Sequence, residues 1–222
     1  MKNTDRVVYG INPVNQALQV EGNACYKLVV PLGRLNPRLQ NLVRMAQEAN
    51  IRIEKLTKGV FQKKYRRLPQ NQSVVGYFSP KVTIDLEDLI AEAFRKNSRP
   101  VLAILDGIQD PQNLGAIVRS AEVLGLQGLI LPKHRASPLN ETVAKCSSGA
   151  VEIISLATVS NLAASLEILK SAGFWIVGVT SDGENLCHQF SFDMRIPFRY
   201  LQFLIRISTD THNKCFSCLL DG

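Results

Sequence analysis

Asp106, Asp110, Asn113, Arg119 and Glu122 gather within one stretch of this chain, VLAILDGIQDPQNLGAIVRSAEVLGLQGLILP, residues 101–132. Polar groups at the carboxyl end of a strand, with a guanidinium further along, could hold a ligand. The plainer alternative is an exposed Arg119 paired with Glu122 at i+3, worth little, and an Asn that caps a helix. A second concentration of chemistry is Lys63-Lys64-Tyr65-Arg66-Arg67. Cations around an aromatic ring can grip phosphates and stack a base, or can simply be a solvated face. Cys215-x-x-Cys218, with His212 just before it, has no second ligand pair nearby. A structural zinc site needs four ligands, so the spacing is read as chance and no metal is expected.

The elements that must position these groups follow from periodicity. Val101 to Leu105 is an apolar run that reads as a buried strand, and Asp106-Gly107 and Asp110-Pro111 break it. A helix is predicted from about Asn113 to Leu124, with Ile117, Ala121 and Leu124 on its core face and Gly115 leaving room beside the Arg119 guanidinium. Gly125 ends that helix and Leu129 to Leu131 is a second strand, so the unit is a parallel crossover. Ligands of such sheets sit beyond the carboxyl ends of the strands, where Asp106 to Asn113 lies. Upstream, strands are predicted at Val7–Tyr9, Lys27–Leu32, around Ile51 and Ile53, and at Val74–Phe78. Helices are predicted after Pro13, over Pro37–Asn50 and around Val60–Tyr65. Downstream, Leu139–Lys145 reads as helix, Ser147–Ala150 as a segment allowing close backbone approach, and Val151–Leu156 as a strand. Asn161–Ala172 then reads as helix and Phe174–Val179 as a strand.

The net charge of +7 over 222 residues and a pI near 9.3 fit a polyanionic partner. MKNTDRVVYG lacks the apolar core of a signal peptide, and no run approaches the roughly 20 apolar residues that span a bilayer. No membrane association is expected, and the expected location is cytoplasmic, with the five cysteines reduced. A classical dinucleotide fold would place G-x-G-x-x-G after its first strand, whereas Asp106 to Gly115 holds only Gly107 and Gly115.

LDGIQDPQNLGAIVRSAEVLG resembles the first motif of the SpoU (TrmH-like) ribose 2'-O-methyltransferases of the SPOUT superfamily. The resemblance continues through PKHRASPLNETVAKCSSGAVE and SNLAASLEILKSAGFWIVGVTSDGENL. It is strongest to the enzymes that methylate a guanosine ribose in bacterial 23S ribosomal RNA. It implies an α/β fold: a small N-terminal RNA substrate-binding domain at 1–78, a joining segment at 79–99, and a SPOUT-type parallel-sheet domain from 100. It also implies S-adenosylmethionine as methyl donor and ribosomal RNA as partner. The Arg of NxGxxxRxA, which is Arg119, would activate the 2'-hydroxyl, with Asn113 shaping the same site. Gly178, Val179 and Thr180 match positions that contact S-adenosylmethionine. Lys63, Lys64, Arg66 and Arg67 would bind RNA. Near 72–76, relatives read close to NHQGVVA and this chain reads QSVVG.

The resemblance runs to about Phe198. Relatives continue with motifs like GxEGxGL and IPMxGxxxSLNVSVA, which build most of the cofactor pocket, the trefoil knot and part of the dimer interface. RIPFRYLQFLIRISTDTHNKCFSCLLDG carries neither. The expectation is therefore a methyltransferase domain cut short at 198, an atypical tail at 199–222 such as a shifted frame or early stop would leave, and an incomplete knot. The family's homodimer would be impaired, and apolar faces of 101–105 and 174–179 would be exposed, patched at best by the tail as a strand. The alternative function is a homologue that binds RNA without transferring a methyl group.

Overall fold

The computed structural model describes residues 6–20, 25–68, 73–180, 203–208 and 217–221, with 178–180 and the last two segments as backbone. The chain forms two compact units. The first holds a four-stranded sheet made of β1 (Arg6–Tyr9), β2 (Cys25–Pro31), β3 (Arg52–Leu56) and β4 (Val75–Phe78), in the order β1-β4-β2-β3. Only β2 and β3 run parallel, because α2 (Pro37–Glu48) carries the chain back between them. Asn36 caps α2 by accepting a hydrogen bond from Leu39 N at 2.9 Å, and Pro37 occupies the first turn. Leu39, Leu42 and Ala46 of α2 are buried, as are Val14 and Ala17 of α1 (Ile11–Gln19), and these two helices pack together. A separate cluster of Tyr9, Val29, Phe61, Tyr65 and Val75 is closed by α3 (Lys58–Lys64).

This unit also takes in residues 114–119 and 139–153. The second of these holds α6 (Glu141–Cys146) and α7 (Ala150–Ile153), so the strand predicted over Val151–Leu156 is not found; the next strand, β7, is Ser155–Val159. A short apolar run does not distinguish strand from helix by itself. Here the turn at Ser148 (φ 55°) and Gly149 (φ 93°) redirects the chain into a second helical turn.

The second unit holds a six-stranded sheet: β5 (Val101–Asp106), β6 (Gly128–Pro132), β7, β8 (Trp175–Thr180), β9 (Phe203–Ser208) and β10 (Ser217–Asp221), in the order β10-β8-β9-β5-β6-β7. All neighbours are parallel except β10, which runs antiparallel along β8. The segment expected to join two domains contains α4 (Leu86–Lys96). Its Leu86, Leu89 and Ala93 share a core with Leu102, Ile104, Ile130, Ala157, Leu169 and Phe174. A Cβ at Gly128 would lie 2.5 Å from Leu89 Cδ1, so that glycine lets α4 settle on β6. The tail contributes β9 between β5 and β8, as the patching strand was expected to do. The expected exposure of the neighbouring strands is overturned: Leu102, Ala103, Ile104, Leu105, Phe174, Ile176 and Val177 are buried.

Candidate active site and nucleic-acid interface

Helix α5 (Pro111–Val123) is started by Asp110, whose side chain accepts from Gln112 N at 3.0 Å, with Pro111 in the first turn. Asn113 is therefore the third residue of the helix and not its cap. The buried face is Leu114, Val118 and Ala121. This corrects the predicted face: Ala121 belongs to it, but Ile117 is only half-buried and Leu124 is 76% exposed. The run AIVRSAEVL is apolar on more than one side, so spacing alone does not choose. What chooses is Gly115, where a Cβ would stand 2.5 Å from Cys146 Cβ and 3.1 Å from Ser147 N and Val143 O. Gly115 thus brings α5 against α6, and is not the space beside the guanidinium that its spacing from Arg119 had suggested.

Asn113 and Arg119 are both exposed. Six residues correspond to roughly 240° around a helix and about 9 Å along it, so the two side chains leave α5 in different directions. The ion pairs among the described residues include none between Arg119 and Glu122. The guanidinium is thus held at the surface one turn beyond the α5–α6 contact. Asn140 caps α6 by accepting from Thr142 N at 3.0 Å and Val143 N at 3.2 Å. Lys145 of α6 lies 5.7 Å from the centre of the Tyr9 ring on β1.

Lys63, Lys64, Arg66 and Arg67 are all exposed, at and just after the end of α3. Tyr65 between them is not available to a base. It is 5% exposed, packs on Phe61 with ring centres 4.9 Å apart, and its hydroxyl is 3.2 Å from that of Tyr77. Burial, then the bond to Tyr77, raises its pKa far above that of an ordinary tyrosine. Lys64 is also engaged: its ammonium donates to Glu54 at 3.2 Å, and Lys27 approaches the same carboxylate at 3.6 Å. The bond from Lys64, opposed by a smaller effect of burial, lowers the Glu54 pKa. Periodicity did not flag Arg52 and Lys55 on β3 or Lys58 at the start of α3, all exposed, which add positive charge along the open edge of this sheet.

In the second unit the register Asp106↔Ser208 and Val179↔Ile207 aligns the carboxyl ends of β5, β9 and β8. Gly178, Val179 and Thr180 lie within β8 at that edge, paired with β10 through Gly178↔Leu219 and Thr180↔Ser217. Ser181-Asp182-Gly183, which with Thr180 read in sequence as the loop ending that strand, lies outside the described residues, as does the spacing of Cys215 and His212 to Cys218. Among the described residues no cluster could hold a metal ion, and no helix is long and apolar enough to cross a membrane.

Residues 7–82 match the family described as RNA 2'-O ribose methyltransferase substrate binding, and residues 100–201 match the SpoU rRNA Methylase family. The 23S rRNA (guanosine-2'-O-)-methyltransferase RlmB of Pseudomonas aeruginosa is 36% identical, over 86% of this chain and 75% of its own length. RlmB of Neisseria meningitidis is 34% identical, over 81% and 71%. This chain belongs to the SpoU rRNA methylase family. In fold it is similar to the SpoU methyltransferase AviRb of Streptomyces viridochromogenes, crystallised with AdoMet: TM-score 0.71, 20% identity, 94% of this chain and 74% of that one. A mixed α/β fold with a SPOUT-type parallel sheet is thereby established.

SpoU enzymes take their methyl group from S-adenosylmethionine. The aligned carboxyl ends of β5, β9 and β8 suit such a ligand, because open α/β sheets receive nucleotides at that edge. Gly178, Val179 and Thr180 end β8 at that edge.

Sequence reasoning missed Glu152. Its carboxylate, in α7, has no solvent exposure and accepts from Arg6 Nη1 of β1, itself buried. The available signal was a lone charge inside the apolar run GAVEIISL.

Proposed function

We propose that this chain methylates the ribose 2'-hydroxyl of a guanosine in ribosomal RNA, with S-adenosylmethionine supplying the methyl group. The observation that carries the reading is Arg119: it stands in the family's first motif and is exposed on α5, with no ion pair among the described residues to occupy it. A ribose hydroxyl is a poor nucleophile and must be oriented, with the negative charge that develops on its oxygen stabilised. Guanidinium groups hold their protons and donate in a fixed fork, so Arg119 is assigned those two tasks and not proton removal. Asn113, in the first turn of the same helix, shapes the site, and Gly178, Val179 and Thr180 hold the methyl donor. Lys63, Lys64, Arg66 and Arg67 bind the RNA backbone.

The N-terminal substrate-binding segment, the joining segment and the methyltransferase segment act together on one RNA. A ribosomal RNA substrate also puts the enzyme in the cytoplasm. A homodimer, weaker than in relatives with the complete C-terminal motifs, is supported by the exposed Val123 and Leu124 at the end of α5. The match extends through the catalytic motif as well as the RNA-binding segment, which favours an enzyme over a protein that only binds RNA.

The test is methyl transfer from labelled S-adenosylmethionine to ribosomal RNA. Arg119→Ala is expected to lower turnover by at least 100-fold while leaving RNA affinity and fold intact, as for a group that acts in the transition state. A wild-type protein that binds RNA without any transfer, or an Arg119→Ala variant with near-normal turnover, would refute this assignment.

A further inference from the structure

We infer that Arg6 and Glu152 are positioning residues, which fix the RNA-binding sheet to the turn of α5 that carries Arg119. The inference rests on the methyltransferase reading above and extends it. Residues 7–82 and 100–201 match separate families, yet the first compact unit takes 114–119 and 139–153 from the second match. Three contacts of the seam carry the inference. Arg6 of β1, held over the Phe78 ring at 5.4 Å and donating to Ser79 O at 3.4 Å, donates to the buried carboxylate of Glu152. Lys81 Nζ donates to Glu152 O at 2.8 Å. At the α6–α7 turn a Cβ on Gly149 would fall 2.8 Å from Gln16 Cβ and 3.0 Å from Pro13 Cα, so α7 meets α1 almost backbone to backbone.

From this seam a short path leads to the reacting group. Helix α6 lies on β1, and its Cys146 meets α5 at Gly115, four residues before Arg119. Burying an ion pair is a poor way to gain stability, because desolvation cancels much of the attraction; its advantage is that one arrangement satisfies it and others leave a buried charge unpaired. That property suits a joint that sets direction. An RNA held along α3 and β3 then meets Arg119 at a fixed offset, and the seam selects which ribose is presented.

The experiment uses the full chain, with dyes at exposed positions 62 and 116 for energy transfer. Methyl transfer is measured alongside on a structured ribosomal RNA fragment and on a short oligonucleotide. In Glu152→Gln the inter-dye distance distribution is expected to broaden. Single-turnover transfer to saturating structured RNA should fall tenfold or more, as misplacement of about 1 Å can cause. RNA affinity should stay within twofold, transfer to the oligonucleotide should be unchanged, and the exchanged pair Arg6→Glu with Glu152→Arg should recover much of the loss. Should Glu152→Gln not fold, Lys81→Met, at the edge of the seam, is expected to show the same split more mildly. A narrow distance distribution in a folded variant, or equal losses on both substrates, would overturn the inference. A wild-type protein without transfer would refute the methyltransferase reading while the distance measurement still decides the seam.

Discussion

Replacing Gly115 by Ala separates stability from activity in a way the α5–α6 contact makes calculable. The new Cβ would lie 2.5 Å from Cys146 Cβ, where carbon atoms normally sit about 3.5–4.0 Å apart. Cys146 Cβ cannot swing aside, and Ser147 N and Val143 O, at 3.1 Å, are backbone. The helices must therefore part by about 1 Å. Helix propensity opposes this cost, since Ala is favoured over Gly in a helix by about 0.8–1 kcal/mol. Overpacking typically costs about 1–3 kcal/mol, so the net destabilisation is roughly 0–2 kcal/mol, a modest drop in the urea midpoint. Turnover should suffer far more, because Arg119 follows one turn later and a 1 Å misplacement is worth up to about 100-fold. Ala116→Gly, at an exposed neighbour, is the control: it loses the propensity and leaves the contact alone. Urea unfolding and single-turnover transfer measure the two effects. A Gly115→Ala protein stabilised by about 1 kcal/mol, with an unchanged rate, would refute the close contact.

Lys64→Met is expected to leave Glu54 with Lys27 alone, so its carboxyl should rise part of the way toward the ordinary value near 4.3 in a carbon-detected titration. The sign follows from the depressed folded pKa: Glu54 contributes stability above its unfolded value and loses it as pH falls through the folded one, so the variant should lose stability near neutrality and not in strong acid. The same variant should change the salt dependence of RNA binding less than Arg66→Ala, because among the described residues Lys64 is paired with a carboxylate and Arg66 is not; equal slopes would remove that distinction. Calorimetric titration with S-adenosylmethionine is expected to show binding weaker than micromolar. Residues 209–216 include neither glycine nor glutamate, and no GxEG occurs after residue 198. Micromolar binding at one site per chain would show that the tail completes the pocket.

Legibility of the sequence varied with how many physical demands each stretch obeyed at once. β5, α5 and β6 were readable because an apolar run, a breaker pair and a helical period succeed one another. The buried side of α5 was not, since Ile117 and Leu124 are as apolar as Leu114 and Val118; a neighbour's backbone at Gly115 decided it. Tyr65 looked like part of a binding surface because its neighbours are charged. At the end of a short helix one residue in such a run can point inward, and Phe61, four residues earlier, marks that direction. The locations of Arg119 and of the basic run on exposed surface were legible; the Arg6–Glu152 pair, 146 positions apart, was not, because nothing local signals a partner so distant.

Strand β9 shows how loosely a place in a sheet constrains sequence. Between β5 and β8 there is a slot with a parallel neighbour on each side, and backbone pairing there asks for extended residues more than for particular ones. FLIRIS meets that demand with Phe, Leu and two Ile, and its ladder runs Val101↔Phe203 to Asp106↔Ser208 on one side and Trp175↔Phe203 to Val179↔Ile207 on the other. Without β9 both neighbours would present open edges in mid-sheet, the arrangement that invites pairing with other chains. β10 then lies antiparallel along the outer edge of β8. Chemistry is less permissive than pairing. A strand slot can be filled by any suitable apolar run, whereas a ligand site needs particular groups in particular places. A place in a sheet and a ligand site therefore constrain sequence differently.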